Sequence, residues 1–247
     1  MAERLDANAR DAVLRAMGIE QWHVRETHAA AAEPMVGSDE SPTVVKTEAV
    51  VKLDDTSNRP TAEIDWETLR HNVKRCTQCR LHETRTQSVF GVGDDSARVM
   101  VVGEAPGAEE DRTGEPFVGR AGHMLDSMLK AIGIDRPSVF IANVIKCRPP
   151  QNRDPRADEV AACAGYLEAQ VVHVKPNVIL AVGRVAAQHL LGSTETLGRL
   201  RAQRDLSAFG VPVLVTYHPA YLLRTPVQKA RAWEDLKRLR SLIEAGQ

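Results

Sequence analysis

The chain has 247 residues and a formal net charge of −1. This length supports one or two domains with a full hydrophobic core. The near-zero charge excludes a polycation that binds nucleic acid with its whole surface. Residues 1–60 carry 7 basic and 11 acidic side chains, whereas the remainder carries 25 and 22. Any nucleic-acid interface must therefore be a local patch.

No apolar run approaches the roughly 20 residues that cross a bilayer, and the N-terminus lacks the basic and apolar regions of a signal peptide. We therefore expect a cytoplasmic protein, of the bacterial cytosol or nucleoid, that does not bind membranes. Structural disulfides are rare in that compartment, so the four cysteines need another explanation.

The first 60 residues differ in composition from the rest. Residues 2–18 predict a short helix with its apolar side chains roughly on one face. This segment is either a surface helix or a docking peptide for a replication or repair protein. Residues 27–60 are rich in Ala, Glu, Ser, Thr, Asp and Pro without a sustained period, which indicates a disordered linker. We predict an N-terminal extension over residues 1–60 and a globular domain over residues 61–247.

Helices and strands alternate through that domain. The pattern predicts helices from Thr61 or Asp65 to Arg75, and over residues 119–132, 156–172, 184–191 and 226–244, with a loop over 192–205. Apolar runs predict buried strands over residues 98–103, 138–145, 177–182 and 211–217. Such alternation favours an α/β fold with a parallel sheet covered on both faces.

Chemically distinctive residues follow three of these strands. The sequence Gly-Glu-Ala-Pro-Gly over 103–107 forms a turn where the backbone can approach a ligand closely. Glu104 lies in this turn, Asn143 lies near the end of the second predicted strand, and His218 follows the last. Ligands of open α/β sheets bind at the carboxyl ends of the strands. The turn has neither the Rossmann nor the P-loop pattern.

The four cysteines can be explained in several ways. Cys76 and Cys79 are two residues apart, Cys147 follows the second strand, and Cys163 lies in a predicted helix. Four cytosolic thiols suit a [4Fe–4S] cluster or a structural zinc ion, and their spacing does not decide between the two. A redox-active Cys76–Cys79 pair and four free cysteines are the alternatives.

Taken together and in order, these motifs resemble those of the family 4 uracil-DNA glycosylases, the iron–sulfur members of their superfamily. The resemblance covers roughly residues 66–243. The matching motifs are Cys76-Thr-Gln-Cys79, Gly103-Glu-Ala-Pro-Gly-x2-Glu-Asp111, Pro116-Phe-Val-Gly119, Asn143-x3-Cys147-Arg-Pro-Pro150, Cys163 and His218-Pro-Ala-Tyr-Leu-Leu-Arg224.

The resemblance implies a three-layer α/β/α domain with a four-stranded parallel sheet. It also implies a [4Fe–4S] cluster on Cys76, Cys79, Cys147 and Cys163, with a structural role. The implied reaction hydrolyses the N-glycosidic bond of deoxyuridine in DNA and leaves an abasic site. Uracil-containing DNA is then the substrate, and we expect the enzyme to be a monomer. The alternative is an iron–sulfur DNA-binding or redox-sensing module without glycosylase turnover.

The implied pocket assigns a role to several residues. Phe117 would stack on the flipped base, and Asn143 would read its Watson–Crick edge through the side-chain amide. His218 would stabilise the charge that develops on uracil O2. Relatives with strong activity have Asp or Asn at the position of Ala105, which cannot act as a base. Backbone groups of Gly103, Glu104 and Ala105 would hold uracil and water, with Glu104 as a candidate organiser of the water. The alternative is a reaction that depends mainly on leaving-group stabilisation and phosphate electrostatics.

DNA contacts are expected around two of the motifs. Leu222 or Leu223 would fill the gap that the flipped base leaves in the duplex. Four cationic side chains are candidates for phosphate contacts. They are Lys146, Arg148, Arg153 and Arg224.

Overall fold

The computed structural model describes residues 64–245. The predicted helix over 2–18, the predicted linker over 27–60 and the expected start of the domain near residue 61 lie outside these residues. Within residues 64–245, no helix is both long enough and apolar enough to cross a bilayer.

Six strands and eight α-helices build the described part of the chain. The strands are β1 Val92–Gly93, β2 Val99–Gly103, β3 Phe140–Asn143, β4 Val178–Val182, β5 Ser207–Ala208 and β6 Val211–Thr216. The helices are α1 Trp66–Arg75, α2 Ala108–Thr113, α3 Arg120–Ala131, α4 Ala157–Val174, α5 Arg184–Leu191, α6 Leu197–Ala202, α7 Pro219–Arg224 and α8 Lys229–Ala245. Short 3₁₀ turns occur at Arg80–Glu83, Arg136–Ser138, Pro150–Asn152 and Pro226–Gln228.

The strands form one mixed sheet in the order β1-β3-β2-β4-β6-β5. The four predicted strands are its parallel centre, and β1 and β5 pair antiparallel at the two edges. The prediction of a purely parallel, four-stranded sheet was therefore wrong at both edges. Each edge strand has only two residues, which is too short for a side-chain alternation to register in the sequence.

Helices cover both faces of the sheet because its central strands are apolar on both sides. Met100 and Val102 of β2 pack in a core with α1, α4 and α5. Val99 and Val101 of the same strand pack in a second core with α3, α7 and α8. The period of two along a strand sends successive side chains to opposite faces, so one apolar run supplies both cores. The expectation of a sheet covered on both faces is confirmed.

Helix ends follow local sequence signals. The predicted cap Asp65 accepts a hydrogen bond from the backbone N–H of Thr68 at 3.0 Å, which begins α1 as expected. The predicted loop over 192–205 instead contains α6, because the side chain of Thr196 caps a new helix. Helices α2 and α7, with six residues each, were not predicted as separate elements either.

Parallel pairing brings the ends of the central strands to one edge. Gly103 pairs with Asn143, and Val182 pairs with Thr216. The residues that follow these positions therefore leave the sheet side by side. The distinctive residues at strand ends, which are far apart in sequence, lie at this edge.

Candidate active site

A cavity of about 470 Å³ opens at the carboxyl edge of the sheet. Its walls include Glu104 and Ala105 from the turn after β2, Asn143 at the end of β3, Phe117 before α3, and His218 before α7. The structure thus brings together five of the six residues predicted to bind substrate. The sixth, Gly103, has no side chain and lies behind this wall.

Two glycines let this wall of the cavity pack closely. A Cβ atom on Gly103 would overlap the Asn143 side chain and the Phe117 ring, so only glycine fits there. A Cβ atom on Gly122 of α3 would overlap the carbonyl of Phe117. Phe117 itself has a φ of 54°, in the left-handed region that bulky residues rarely adopt. Its surroundings hold it there, as often occurs at ligand-binding positions.

Glu110 of α2 ties together the loop that carries Phe117. Its carboxylate accepts hydrogen bonds from the backbone N–H groups of Gly107 at 3.1 Å, Val118 at 3.1 Å and Gly119 at 3.3 Å. Glu110 also lines the cavity. Sequence reasoning did not single it out, although a glutamate three residues after a helix N-cap is a signal of this arrangement.

Asn143 has an unpaired acceptor inside the protein. The residue is 2% exposed. Within residues 64–245, its Oδ1 is the one buried side-chain oxygen or nitrogen atom without a hydrogen-bond partner. Leaving such an atom unpaired costs about 1–3 kcal/mol, so native proteins rarely tolerate it without a reason. A ligand N–H in the cavity would satisfy this oxygen.

His218 offers a defined ring proton to the cavity. Its Nδ1 accepts a hydrogen bond from the backbone N–H of Ala220 at 3.2 Å, so the neutral ring carries its proton on Nε2. Burial, with a smaller contribution from Arg224 and against the opposing effect of Glu110, lowers the pKa of His218 to about 4. The imidazole is therefore neutral near pH 7. Its centroid lies 5.8 Å from that of Phe117.

A buried polar network holds the strand end that precedes His218. Asp235 of α8 accepts hydrogen bonds from the Thr216 hydroxyl at 2.7 Å and from Arg201 Nε at 2.9 Å. Arg201 also donates to the Tyr217 hydroxyl at 3.0 Å. Tyr217 stacks on Tyr221 of α7 with centroids 5.5 Å apart. These contacts fix β6 and α7 on both sides of His218.

Glu104 is a partly buried carboxyl group in the cavity wall. Burial, with a smaller contribution from Asp154 and against the opposing effect of Arg184, raises the pKa of Glu104 to about 7. Asp154 and Arg184 form an ion pair at 2.7 Å. Both the neutral and the charged form of Glu104 are therefore populated near neutral pH, which is typical of groups that exchange protons.

The two leucines predicted to enter DNA differ in exposure. Leu222 is 0% exposed and packs in the core beside α8, so its side chain does not reach a ligand surface. Leu223 is 37% exposed. Of the two leucines predicted to enter DNA, Leu223 is therefore the remaining candidate. Arg224, at the end of the same helix, lines the cavity.

The other side chains predicted to contact phosphates also differ in how deeply they are buried. Arg148 is part of the loop after β3 and donates to Asn152 Oδ1 at 2.7 Å. Arg153 lines the cavity and forms an ion pair with Glu159 of α4, with N–O distances down to 2.5 Å. The prediction that Lys146 contacts phosphate was wrong, because this lysine is 1% exposed and its ammonium group binds protein oxygens.

All four cysteines belong to one core on the α1 and α4 side of the sheet, with Cys147 and Cys163 inside it and Cys76 and Cys79 packed against it. Cys147 and Cys163 are buried, whereas Cys76 and Cys79 are partly exposed. Arg85 connects two of the segments, since it donates to the Cys147 sulfur at 2.9 Å and to the Cys76 carbonyl oxygen at 3.0 Å.

The thiols act on one another electrostatically. Burial is the main cause that raises the pKa of Cys163 to about 12. Lys146 opposes this shift, and Cys147 and Cys76 add to it. Across residues 64–245, no three His, Cys, Asp or Glu side chains converge as ligands of one metal ion. An iron–sulfur cluster is wider than one ion and spreads its thiolate ligands around it. Four gathered thiols with N–H donors to two sulfurs fit such a centre, which would bind them as thiolates.

Comparison with known proteins identifies the family. The sequence model of the uracil DNA glycosylase superfamily matches residues 90–237. A type-4 uracil-DNA glycosylase of Thermotoga maritima is 42% identical over 187 residues, which are 74% of this chain and 97% of that protein. One from Archaeoglobus fulgidus is 42% identical over 177 residues, 69% of this chain and 89% of that protein. A type-5 uracil-DNA glycosylase of Pyrobaculum aerophilum is 34% identical over 150 residues, 53% of this chain and 64% of that protein. The chain therefore belongs to the uracil DNA glycosylase superfamily, among its type-4 members.

Proposed function

We propose that this protein is a DNA-repair glycosylase that removes uracil from DNA by hydrolysing its N-glycosidic bond and leaves an abasic site. The observation that carries the proposal is the unpaired Asn143 oxygen in a cavity whose wall also includes His218, a histidine with its ring proton on Nε2. The type-4 relatives are named for this activity, and their sequences match most of this chain.

The base must leave the DNA stack to reach such a pocket. Extrusion costs a few kcal/mol, and least for a mispaired base. The Phe117 ring packs against Gly103, and the Phe117 carbonyl packs against Gly122. This ring supplies the flat surface on which the flipped base stacks. The fixed loop means that this surface is formed before the base arrives.

Asn143 provides the selection for uracil over cytosine. Its Oδ1 accepts a hydrogen bond from uracil N3–H, and its amide nitrogen donates to O4. Cytosine has an acceptor at N3 and a donor at N4, so both contacts would be lost. A buried group that stays unpaired disfavours the wrong base strongly.

Replacing Asn143 with alanine is expected to lower kcat/KM on uracil-containing DNA by about 10- to 100-fold, because one or two buried hydrogen bonds are lost. Single-turnover release of uracil from a labelled oligonucleotide measures this. Asn177→Ala removes an exposed amide just before β4, outside the cavity lining, and serves as the control. Wild-type rates in Asn143→Ala would contradict the role in base reading.

His218 stabilises the leaving group. As the glycosidic bond breaks, the sugar takes on oxocarbenium character and negative charge gathers on uracil O2. A neutral imidazole with its proton on Nε2 donates to that oxygen, and the donation strengthens as charge develops. The network of Thr216, Arg201 and Asp235 keeps this donor in position without motion during the reaction.

The attacking water is organised by Glu104 and nearby backbone groups. Ala105 has no side-chain group that accepts a proton. Glu104 lies one residue away, in the same wall. Its carboxylate form can accept a hydrogen bond from water and direct it toward the sugar.

This role predicts a pH dependence. Because the pKa of Glu104 is raised to about 7, the carboxyl group is neutral below that pH and charged above it. We expect kcat/KM to rise with pH through about 7 and then to level off. Glu104→Gln is expected to be slower and to lack this rise. A rise that persists in Glu104→Gln would assign the titration to another group.

DNA is held around the cavity mouth. The partly exposed Leu223 fills the gap left by the base, and Arg148, Arg153 and Arg224 contact phosphates. Arg153 and Arg224 line the cavity itself, so phosphates of the extruded nucleotide are their natural partners.

A [4Fe–4S] cluster on Cys76, Cys79, Cys147 and Cys163 completes the proposal. When bound, the cluster would cross-link three segments of the chain and would take no part in a redox step. Its ligand Cys147 begins the loop that carries Arg148 and Arg153, so the cluster orders residues that contact DNA. Support comes from the gathered thiols and from the N–H groups that point at their sulfurs.

The proposal also covers the boundary of the glycosylase domain and the role of the N-terminal segment. We assign residues 61–247 to the glycosylase domain and residues 2–18 to the docking of a replication or repair protein, with residues 27–60 as the tether. The enzyme itself acts as a monomer on DNA in the cytoplasm.

A further inference from the structure

Lys146 is a buried cation whose partners are unusual. Its ammonium group donates to the backbone oxygen of Asn143 at 2.8 Å and to Gln170 Oε1 at 2.6 Å. Among residues 64–245, no carboxylate forms an ion pair with it within 4.0 Å. Lysine is almost never buried completely unless its charge is compensated. Two neutral oxygens provide hydrogen bonds but no net negative charge.

The cysteine centre lies directly beside this lysine. The backbone N–H of Lys146 donates to the Cys163 sulfur at 3.3 Å, and Cys147 is the next residue in the chain. A cluster with four thiolate ligands is a local concentration of negative charge. It therefore supplies the compensation that the described carboxylates do not.

The same lysine holds the residue that reads the base. Asn143 ends β3, and the Lys146 ammonium fixes its carbonyl group. Gln170 anchors the other side of the ammonium and is itself fixed, because its amide donates to the Phe90 oxygen at 2.8 Å. Gln170 and the ligand Cys163 lie on the same helix, α4. One side chain thus joins the cluster helix to the strand end in the cavity wall.

We propose that Lys146 is a positioning residue that couples the iron–sulfur centre to uracil recognition by holding the Asn143 backbone. The inference rests on the proposed function, since it assigns uracil to the Asn143 amide. Loss of the ammonium group lets the end of β3 relax and displaces the Asn143 side chain. The other residues of the cavity and of the DNA-binding loop stay in place.

The test replaces Lys146 with methionine, which keeps the length of the side chain and removes its donors. Inhibition of the iron-loaded enzyme by free uracil is measured, together with affinity for abasic DNA and iron release to a chelator. We expect the uracil inhibition constant to rise by about tenfold with affinity for abasic DNA unchanged. Iron is expected to leave faster, because the compensating cation is gone. Lys146→Arg keeps the charge, so its iron release is expected to be slower than that of Lys146→Met.

A double-mutant cycle separates positioning from general destabilisation. Asn143→Ala and Lys146→Met are expected to weaken uracil inhibition non-additively, because both act through one contact. Additive effects, or wild-type inhibition in Lys146→Met, would overturn the proposal. Uracil release by the wild type tests the proposed function separately, so the two ideas fail independently.

Gln170→Met covers the case in which Lys146→Met does not fold or load iron. This change removes one anchor of the ammonium group and leaves the lysine in place. We expect a normal iron content and a uracil inhibition constant about threefold higher. An unchanged inhibition constant in Gln170→Met would then count against the coupling.

Discussion

Replacing His218 with alanine is expected to lower kcat for uracil release by about 10²–10³-fold, the usual cost of removing one preorganised donor from a developing anion. KM is expected to change little, because the donor acts mainly on the charge that develops in the transition state. Single-turnover rates at saturating enzyme separate this loss from weaker DNA binding. His123→Ala changes an exposed histidine on α3 and is expected to leave the rate unchanged.

The protonation state of His218 gives this prediction a second signature. Its pKa of about 4 means that the imidazole stays neutral throughout the neutral range. Between pH 5.5 and 9, roughly 1.5 units or more above that value, His218 therefore contributes no inflection to the rate. His218→Gln retains an N–H donor and is expected to recover part of the lost rate. A rate that falls with rising pH near 6.5, the ordinary pKa of histidine, and does so only when His218 is present, would mean that the charged imidazole is the active form.

Replacing Cys163 with alanine is expected to abolish cluster binding and to destabilise the domain. The proposed cluster would join segments that are far apart in sequence, so its loss would free a long loop in the unfolded chain. If this linkage resembles a cross-link over a loop of that length, about 4 kcal/mol of unfolding free energy is lost. Such a loss corresponds to a fall in Tm of about 8–16 °C for a domain of this size.

Iron content, visible absorbance and thermal unfolding measure the effect. Ala169→Ser changes a buried residue on the same helix and is expected to retain its iron. The wild type is expected to be brown and to carry iron and sulfide in equal amounts. A colourless wild-type protein that binds zinc, or full stability in Cys163→Ala, would contradict the iron–sulfur assignment.

The centre of the fold was predictable because its strands are buried on both faces. Runs such as Val99 to Val102 are apolar without interruption, which distinguishes them from exposed segments. The edge strands β1 and β5 were not predictable, because two residues show no period. Helix α6 was missed because its cap, Thr196, lies among other turn-forming residues.

The candidate site was predictable where chemistry coincides with a strand end. Glu104, Asn143 and His218 each follow an apolar run, and parallel pairing brings such positions together. Which of two adjacent leucines faces outward depends on how α7 docks, so Leu222 and Leu223 could not be separated. The burial of Lys146 depends on acceptors brought by α4 and by the β3 end, which the sequence does not place in space.

Glu110 was missed for a related reason. Its carboxylate acts on the backbone of Val118 and Gly119, which are eight and nine residues away in a loop. An acidic residue in a first helical turn is common for electrostatic reasons alone. Only the folded loop distinguishes a residue that shapes the cavity from one that merely begins a helix.

The most direct test is incubation of the iron-loaded protein with a labelled oligonucleotide that contains one uracil, followed by alkali to break the strand at abasic sites. We predict cleavage at the uracil position by the wild type, strong reduction in His218→Ala and Asn143→Ala, and no cleavage when cytosine or thymine replaces uracil. An intact strand after incubation with brown, fully folded wild-type protein would contradict the proposed glycosylase activity.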